Sequence, residues 1–240
     1  MAGFQVAIDG PAGSGKSTIS KLIADKLGMT HIDTGAMYRA VTLVALEKNI
    51  NLEVEDEYSF LETISISYHN DQIFVDDKNV TELIRSKEVT NNVSLVSSFP
   101  YVRKKMVDLQ KETSNVGMVV MDGRDIGTVV MPNADVKVFL TAKVDVRAKR
   151  RQLEKINKGV EVKLEKLVDE IKMRDQLDST RKESPLKKAD DAIEIDTTDL
   201  TIDQVVIKII GLINSAKGAE HEWFYFSKSR TSSRRWSISS

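Results

Sequence analysis

Residues 8–18 read IDGPAGSGKST, with three glycines and a lysine inside eleven positions. Residues 4–8 form an apolar run of strand length before them, and Ile19, Leu22, Ile23 and Leu27 recur at helical spacing after them. The glycines therefore fall on a strand-to-helix turn. Residues 10–17 satisfy the spacing G-x-x-x-x-G-K-[ST] in full. Gly10, Pro11, Ala12, Gly13, Ser14 and Gly15 supply backbone N–H groups that can turn inward around phosphate oxygens. The helix opening with Lys16, Ser17 and Thr18 adds its positive end. In such a loop the lysine, Lys16, reaches the β and γ phosphates, and the Ser17 hydroxyl binds Mg²⁺. The stretch is built to hold a nucleoside triphosphate.

Working outward, short apolar strands at residues 4–9, 30–33, 118–122, 136–141 and 192–196 alternate with segments of helix length. That alternation predicts parallel βαβ units with helices on both faces, a three-layer α/β P-loop NTPase fold around a five-stranded parallel sheet. Two stretches interrupt it. Ile64, Ile66 and Tyr68 alternate with polar residues, Asn70 and Asp71 read as a turn, and residues 73–75 and Val80 continue the pattern. This is a small antiparallel sheet inserted at about residues 50–88. Residues 147–178 are highly charged and helical, with Gly159 at a helix end between two helices. The last helix, residues 202–216, opens with Thr201 and Gln204 in capping-box spacing and sets Val205, Val206, Ile209, Ile210 and Ile213 on one face.

The 240 residues allow one substantial core, and length alone leaves one domain with insertions or two small ones. Lysine and arginine number 35 against 36 acidic residues, so no global positive field points to nucleic acid or a membrane surface. There is no cysteine, which excludes disulfides and thiolate metal sites and suits a reducing cytoplasm. No apolar stretch approaches bilayer length and no signal region opens the chain, so a soluble intracellular protein is expected. Residues 218–240 hold both tryptophans and seven serines without a clean period, which suggests a disordered extension or a non-native terminus with no function.

The loop alone does not say what becomes of the γ-phosphate, because switch GTPases, motor ATPases and small-molecule kinases all use it. A GTPase would carry Asp-x-x-Gly and Asn-Lys-x-Asp. Here residues 122–127 read DGRDIG, with Asp125 where that glycine would stand, and the Asn157-Lys158 pair lies in a helix with Gly-Val after it. DGRDIG instead sets two carboxylates and Arg124 at the carboxyl end of a strand, where doubly wound sheets bind ligands. Asp33 and Arg39 in DTGAMYRA (33–40) end another strand in the same way. Two arginines beside a phosphate loop point to a second anionic substrate.

These segments, with RDQLDSTRKESPLKKADDA (174–192) and IDTT (195–198), resemble the bacterial cytidylate kinase family over about residues 4–215. The resemblance implies a domain spanning residues 1–217. Its core would be 1–49, 89–146 and 179–217, with a monophosphate-binding insert at about 50–88 and a helical lid at about 147–178. It implies phosphorylation of CMP and dCMP by ATP with Mg²⁺, by direct in-line transfer, in a cytoplasmic monomer. Carried over position by position, Arg39, Arg124 and Arg181 hold the acceptor phosphate, Ser94, Arg103 and Asp125 contact cytosine, and Arg174 and Asp178 contact ribose. Thr34 and Tyr38 complete the CMP site, Thr34 standing where some members have serine.

The residues themselves support these roles to different degrees. Two polyanions brought together repel by about 4 kcal/mol per charge pair at 4 Å with an effective dielectric near 20, which Lys16, Mg²⁺ and several arginines must offset. Without the resemblance, Ser94 reads as an ordinary helix residue and Arg103, beside Lys104 and Lys105, as a solvated helix face. Arg147, Arg150 and Arg151 share a helix whose charged face reads as exposed. As part of a lid, one of them brings charge to the transition state, with Arg151 favoured. Asp9 and Asp122 are candidates to order Mg²⁺ waters, or to orient loop N–H groups instead. His31, His69 and His221 show no nucleophile or metal spacing and read as packing or surface.

Overall fold

The computed structural model describes residues 3–69, 72–115, 117–157 and 159–218. The expected turn at Asn70 and Asp71, the Lys158 of the Asn-Lys pair, His221 and nearly all of the 218–240 segment lie outside them. The chain opens with β1 (Gln5–Asp9), α1 (Lys16–Leu27), β2 (Thr30–Asp33) and α2 (Thr34–Glu47). A 3-10 segment at Glu55–Glu62 leads into β3 (Ile66–His69), β4 (Gln72–Val75) and β5 (Lys78–Asn79). A 3-10 turn at Leu83–Arg85, α3 (Lys87–Val96) and α4 (Pro100–Ser114) return the chain to the large sheet. There follow β6 (Val119–Gly123), a π turn at Ile126–Val130, β7 (Val136–Thr141), a hairpin of α5 (Val144–Asn157) and α6 (Leu164–Thr180), β8 (Ile193–Asp196) and α7 (Ile202–Ala216).

Every pairing in the large sheet is parallel, as the alternation predicts, and its strands lie in the order β2-β6-β1-β7-β8. Val6, Ala7 and Ile8 are fully buried because helices cover both faces of β1. Side chains alternate along the strand: Val6 and Ile8 pack with Ile19 and Ile23 of α1 and Ile209 of α7, while Ala7 faces Met37 and Val41 of α2. The chain leaves β1 for β2 on one side and later passes from β6 to β7 on the other, so a crevice opens at the carboxyl ends of the central strands.

α7 is held at its start by the Thr201–Gln204 capping box, and all five residues of its expected apolar face are buried. Each contributes about 1.5–3 kcal/mol of burial. The small sheet is antiparallel in the order β3-β4-β5. Asp76 and Asp77, both at positive φ (47° and 66°), make the tight turn between β4 and β5. The α5–α6 hairpin has a core of its own, but only Ala148, Leu167 and Ile171 are buried in it.

Several boundaries differ from the apolar pattern. Phe4, Met118, Ala192 and Ile64 precede their strands. Phe4 and Met118 bond the neighbouring strand through their carbonyls alone, to Val119 N at 2.9 Å and Thr30 N at 2.8 Å. Asn157 is the final residue of α5, not an interior one. Among the described residues no helix is long and apolar enough to cross a membrane.

Candidate active site

The loop between β1 and α1 needs its glycines for two separate reasons. Gly10 has φ 147°, and a Cβ there would come within 2.0 Å of the Leu140 carbonyl oxygen on β7. Gly15 adopts φ 92° directly before α1, a conformation that costs other residues strain. Lys16 folds back over the loop, its Nζ donating to the Pro11 carbonyl at 2.8 Å. Burial, reinforced by repulsion from Arg124, pushes its pKa well below the usual lysine value. An anion in the loop would compensate a charge that the protein leaves expensive.

Asp122, at the end of β6, is held at three points. Ser17 Oγ donates to its Oδ2 at 2.7 Å, His31 Nε2 lies 2.8 Å from its Oδ1, and Thr34 Oγ1 donates to its backbone carbonyl at 2.8 Å. His31 is therefore more than packing, a correction to its reading from sequence. The pairing is invisible there because it depends on β2 lying beside β6. Thr34 spends its hydroxyl proton on the Asp122 backbone. Asp9 takes the other option open to it: its oxygens accept from Ile126 N at 2.8 Å and Gly127 N at 2.7 Å. Burial outweighs these two bonds and pushes Asp9 up to about 6.

Among the described residues no group of three His, Cys, Asp or Glu could cage a metal ion. Ser17 and Asp122 together offer only hydroxyl and carboxylate oxygens. That sparse, all-oxygen donor set fits Mg²⁺, which retains waters and takes phosphate oxygens as its other ligands.

On the far side of the crevice the arginines crowd together. Arg124 Nε donates to Asp178 Oδ2 at 2.8 Å, Arg181 lies 3.4 Å from Asp178 and 3.7 Å from Asp125, and Arg103 bonds Asp125 at 2.5 Å. Three arginines thus share two carboxylates. Arg103 is only 2% exposed, so the solvated helix face expected from its lysine neighbours is wrong at this position. Its guanidinium lies over the Tyr38 ring, 5.3 Å from the centroid.

Two further arginines have no carboxylate of their own. Arg174 makes no hydrogen bond among the described residues, and burial with repulsion from Arg124 brings it down to about 9. Arg39 donates to Thr90 Oγ1 at 2.9 Å and to the Ile84 carbonyl; burial, then repulsion from Arg85, lowers it to about 10. Ser94 follows Thr90 by one turn of α3 and so shares its face, half-buried, with a hydroxyl that bonds no described residue. Asp178 is surrounded: burial opposes its charge, but Arg124, Arg174 and Arg181 hold it below the usual carboxylate range.

The three arginines of α5 have separate fates. Arg147, 4% exposed, donates to the Ala142 and Ala12 carbonyls and forks onto Asp175 at 3.0 and 2.6 Å, clamping the hairpin to the phosphate loop. Arg150 donates to Thr197 Oγ1 and its carbonyl. The exposed charged face expected here is thus corrected for both, since each reaches across to another element. Arg151 makes no hydrogen bond or ion pair among the described residues, and it lies near enough to repel Arg39 and Arg174. Arg85, not singled out in the sequence, pairs with Asp33 at 3.4 Å.

A parallel sheet with a phosphate loop behind its central strand, and a helical hairpin clamped to that loop, places the chain among the P-loop kinases. A sequence model of the family described as cytidylate kinase matches residues 6–215. The chain is 62% identical over 222 residues to a cytidylate kinase of Acholeplasma laidlawii, covering 92% of this chain and 100% of that one. It is 50% identical over 216 residues to a cytidylate kinase of Bacillus thuringiensis, covering 88% and 96%. The chain belongs to the cytidylate kinase family, and with it to the nucleoside monophosphate kinases. A solved shikimate kinase from Acinetobacter baumannii is only loosely similar, with TM-score 0.43 and 17% identity over 90% of this chain and 95% of that one.

Proposed function

We propose that the chain transfers the γ-phosphoryl group of ATP to the phosphate of CMP or dCMP by direct in-line attack, releasing ADP and CDP or dCDP. The single observation that carries this reading is the surplus of arginine beside the phosphate loop: Arg39, Arg151 and Arg174 repel one another, none makes an ion pair among the described residues, and the attraction of Asp33 and Asp178 does not offset the cost. Such a cluster is costly until phosphate groups enter it. No covalent intermediate on the enzyme is required.

In this reading residues 10–18 hold the ATP phosphates, with Lys16 turning from Pro11 to the β and γ oxygens. Mg²⁺ would sit at Ser17 with Asp122 orienting its waters, and it supplies neutralisation of charge on the transferring group. Asp9 keeps the backbone after β6 in place. Arg39, Arg124 and Arg181 bind the acceptor phosphate, Arg174 and Asp178 the ribose, and Thr34 and Tyr38 line the site. Arg103, Asp125 and Ser94 read cytosine, which presents a ring acceptor beside an amine donor; uracil inverts that pattern. A polar site left unpaired by the wrong base can disfavour it by about 10⁴ in the best cases.

The α5–α6 hairpin acts as the lid, excluding water and bringing Arg151 to the transition state. The catalytic groups are then Lys16, Arg124, Arg151 and Arg181. The near balance of 35 basic and 36 acidic residues supports nucleotides, not nucleic acid or membrane, as partners. Both nucleotides are polyanions held inside cells, which supports a cytoplasmic enzyme; the reading takes it as a monomer.

The test is coupled ADP release with CMP, dCMP, UMP, AMP and shikimate offered separately as acceptors. CMP and dCMP should stimulate turnover far above the rest. Equal stimulation by UMP, or ADP release independent of any acceptor, overturns the reading.

A further inference from the structure

Gln110 lies two turns beyond Arg103 on α4 and therefore on the same face of that helix. It is fully buried, and neither its amide nitrogen nor its oxygen makes a hydrogen bond of normal geometry among the described residues. Beside it stands the Tyr38 hydroxyl, which is also buried and also lacks such a bond. Burial pushes the Tyr38 phenol up to about 12, so it stays a neutral O–H donor. The opposite end of the same contact is the cytosine reader: the Tyr38 ring lies under the Arg103 guanidinium, which bonds Asp125 at 2.5 Å.

A carboxamide in this place is chemically odd if its only task is to fill space. Leucine or methionine would occupy the same volume without stripping an amide of water. Beside a phenol that has no other partner, however, the amide can pair with the hydroxyl and fix the position and tilt of the ring. The ring in turn sets the height and tilt of the guanidinium stacked on it. Base selection demands that the guanidinium be placed within about 0.5 Å, which needs a supporting group behind it.

We infer that Gln110 is a positioning residue for base selection, acting on Arg103 through Tyr38. The inference rests on the assignment of Arg103 and Asp125 as cytosine readers, and it adds a residue that touches no substrate atom.

The test compares kcat/KM for CMP and for UMP in the full chain and in Gln110→Met, Tyr38→Phe and the double variant. The wild type is measured first; failure of CMP to exceed UMP there overturns the functional reading and this inference together. Given that preference, Gln110→Met and Tyr38→Phe should each lower the CMP-to-UMP ratio about tenfold, chiefly through KM for CMP. The double variant should lose no more than either alone, because both changes break one linkage. A ratio within twofold of wild type in both single variants, or losses that multiply in the double variant, overturns the inference while leaving the functional reading intact. Where Gln110→Met fails to fold, Gln110→Leu, which also removes the amide while keeping an apolar side chain, decides the matter by the same ratio.

Discussion

Ser17 donates its hydroxyl to one oxygen of Asp122 across 2.7 Å while His31 holds the other at 2.8 Å. The carboxylate thus joins the phosphate loop to two neighbouring strands, and either contact alone would let it rotate. An asparagine at this position offers one oxygen in place of two and turns its amide nitrogen toward a donor. Asp122→Asn is therefore expected to lower activity about 10- to 100-fold, as loss of a group that orients a metal's surroundings does. The Mg²⁺ concentration for half-maximal ADP release should rise with it. An unchanged Mg²⁺ requirement would place Asp122 in a purely structural role.

The α5 arginines separate chemistry from architecture. Arg151 bonds no described residue and repels Arg39 and Arg174, so Arg151→Met should leave stability unchanged or slightly raised without nucleotide, by no more than about 0.5–1 kcal/mol. Its kcat should fall by about 10³, the usual loss for an arginine serving a phosphoryl transition state. Arg147→Met instead strips Asp175 and two loop carbonyls of their donor. With only three residues buried in the hairpin core, amide hydrogen exchange along α6 should then accelerate strongly. Equal exchange rates in the two variants would refute this division of labour.

What was legible in the chain divides along physical lines. The five parallel strands and the exact span of α7 followed from periodicity and capping, which are local and leave their mark on neighbouring residues; the order of the strands in the sheet, which depends on distant segments meeting, did not. The phosphate loop was legible because its eight positions are contiguous. The fate of charged side chains was not: Arg103 and Arg147 sit in runs of lysine and arginine that read as solvated, and each is buried by a carboxylate over twenty positions away. His31 was misread for the same reason, its partner being 91 residues distant. Long-range pairing of polar groups leaves no periodic trace, and in this site it accounts for most of the chemistry.

The Arg103–Asp125 pair is buried on both sides, so its removal should register in stability as well as in base choice. Arg103→Met leaves the Asp125 carboxylate without its closest cation. Such a loss costs about 3–5 kcal/mol, and Arg181 at 3.7 Å should hold the figure near the lower end. Adding Asp125→Asn removes the stranded charge and should recover a large part of it. Urea denaturation of the two variants measures both quantities; a double variant no more stable than Arg103→Met would show that Asp125 is not stranded.

Asp9 links the site to pH. Its carboxyl is raised from 3.8 to about 6 by burial, against the pull of the Ile126 and Gly127 N–H groups. The folded chain therefore holds this proton more tightly than the unfolded chain. Its contribution to stability is full below pH 3.8 and is lost as pH rises through about 6. The interval corresponds to about 3 kcal/mol. Asp178 works in the reverse sense, its folded pKa being depressed, so the total stability curve does not isolate Asp9. The difference between wild type and Asp9→Asn does, because asparagine carries no titrating proton. The variant gives up one N–H acceptor at every pH, which shifts its curve without changing the slope. Between pH 4 and pH 7, urea unfolding should find wild-type stability falling relative to the variant by about 2 kcal/mol, most steeply near pH 5. Parallel curves across that range would mean that Asp9 stays ionised in the fold, its two N–H bonds outweighing burial.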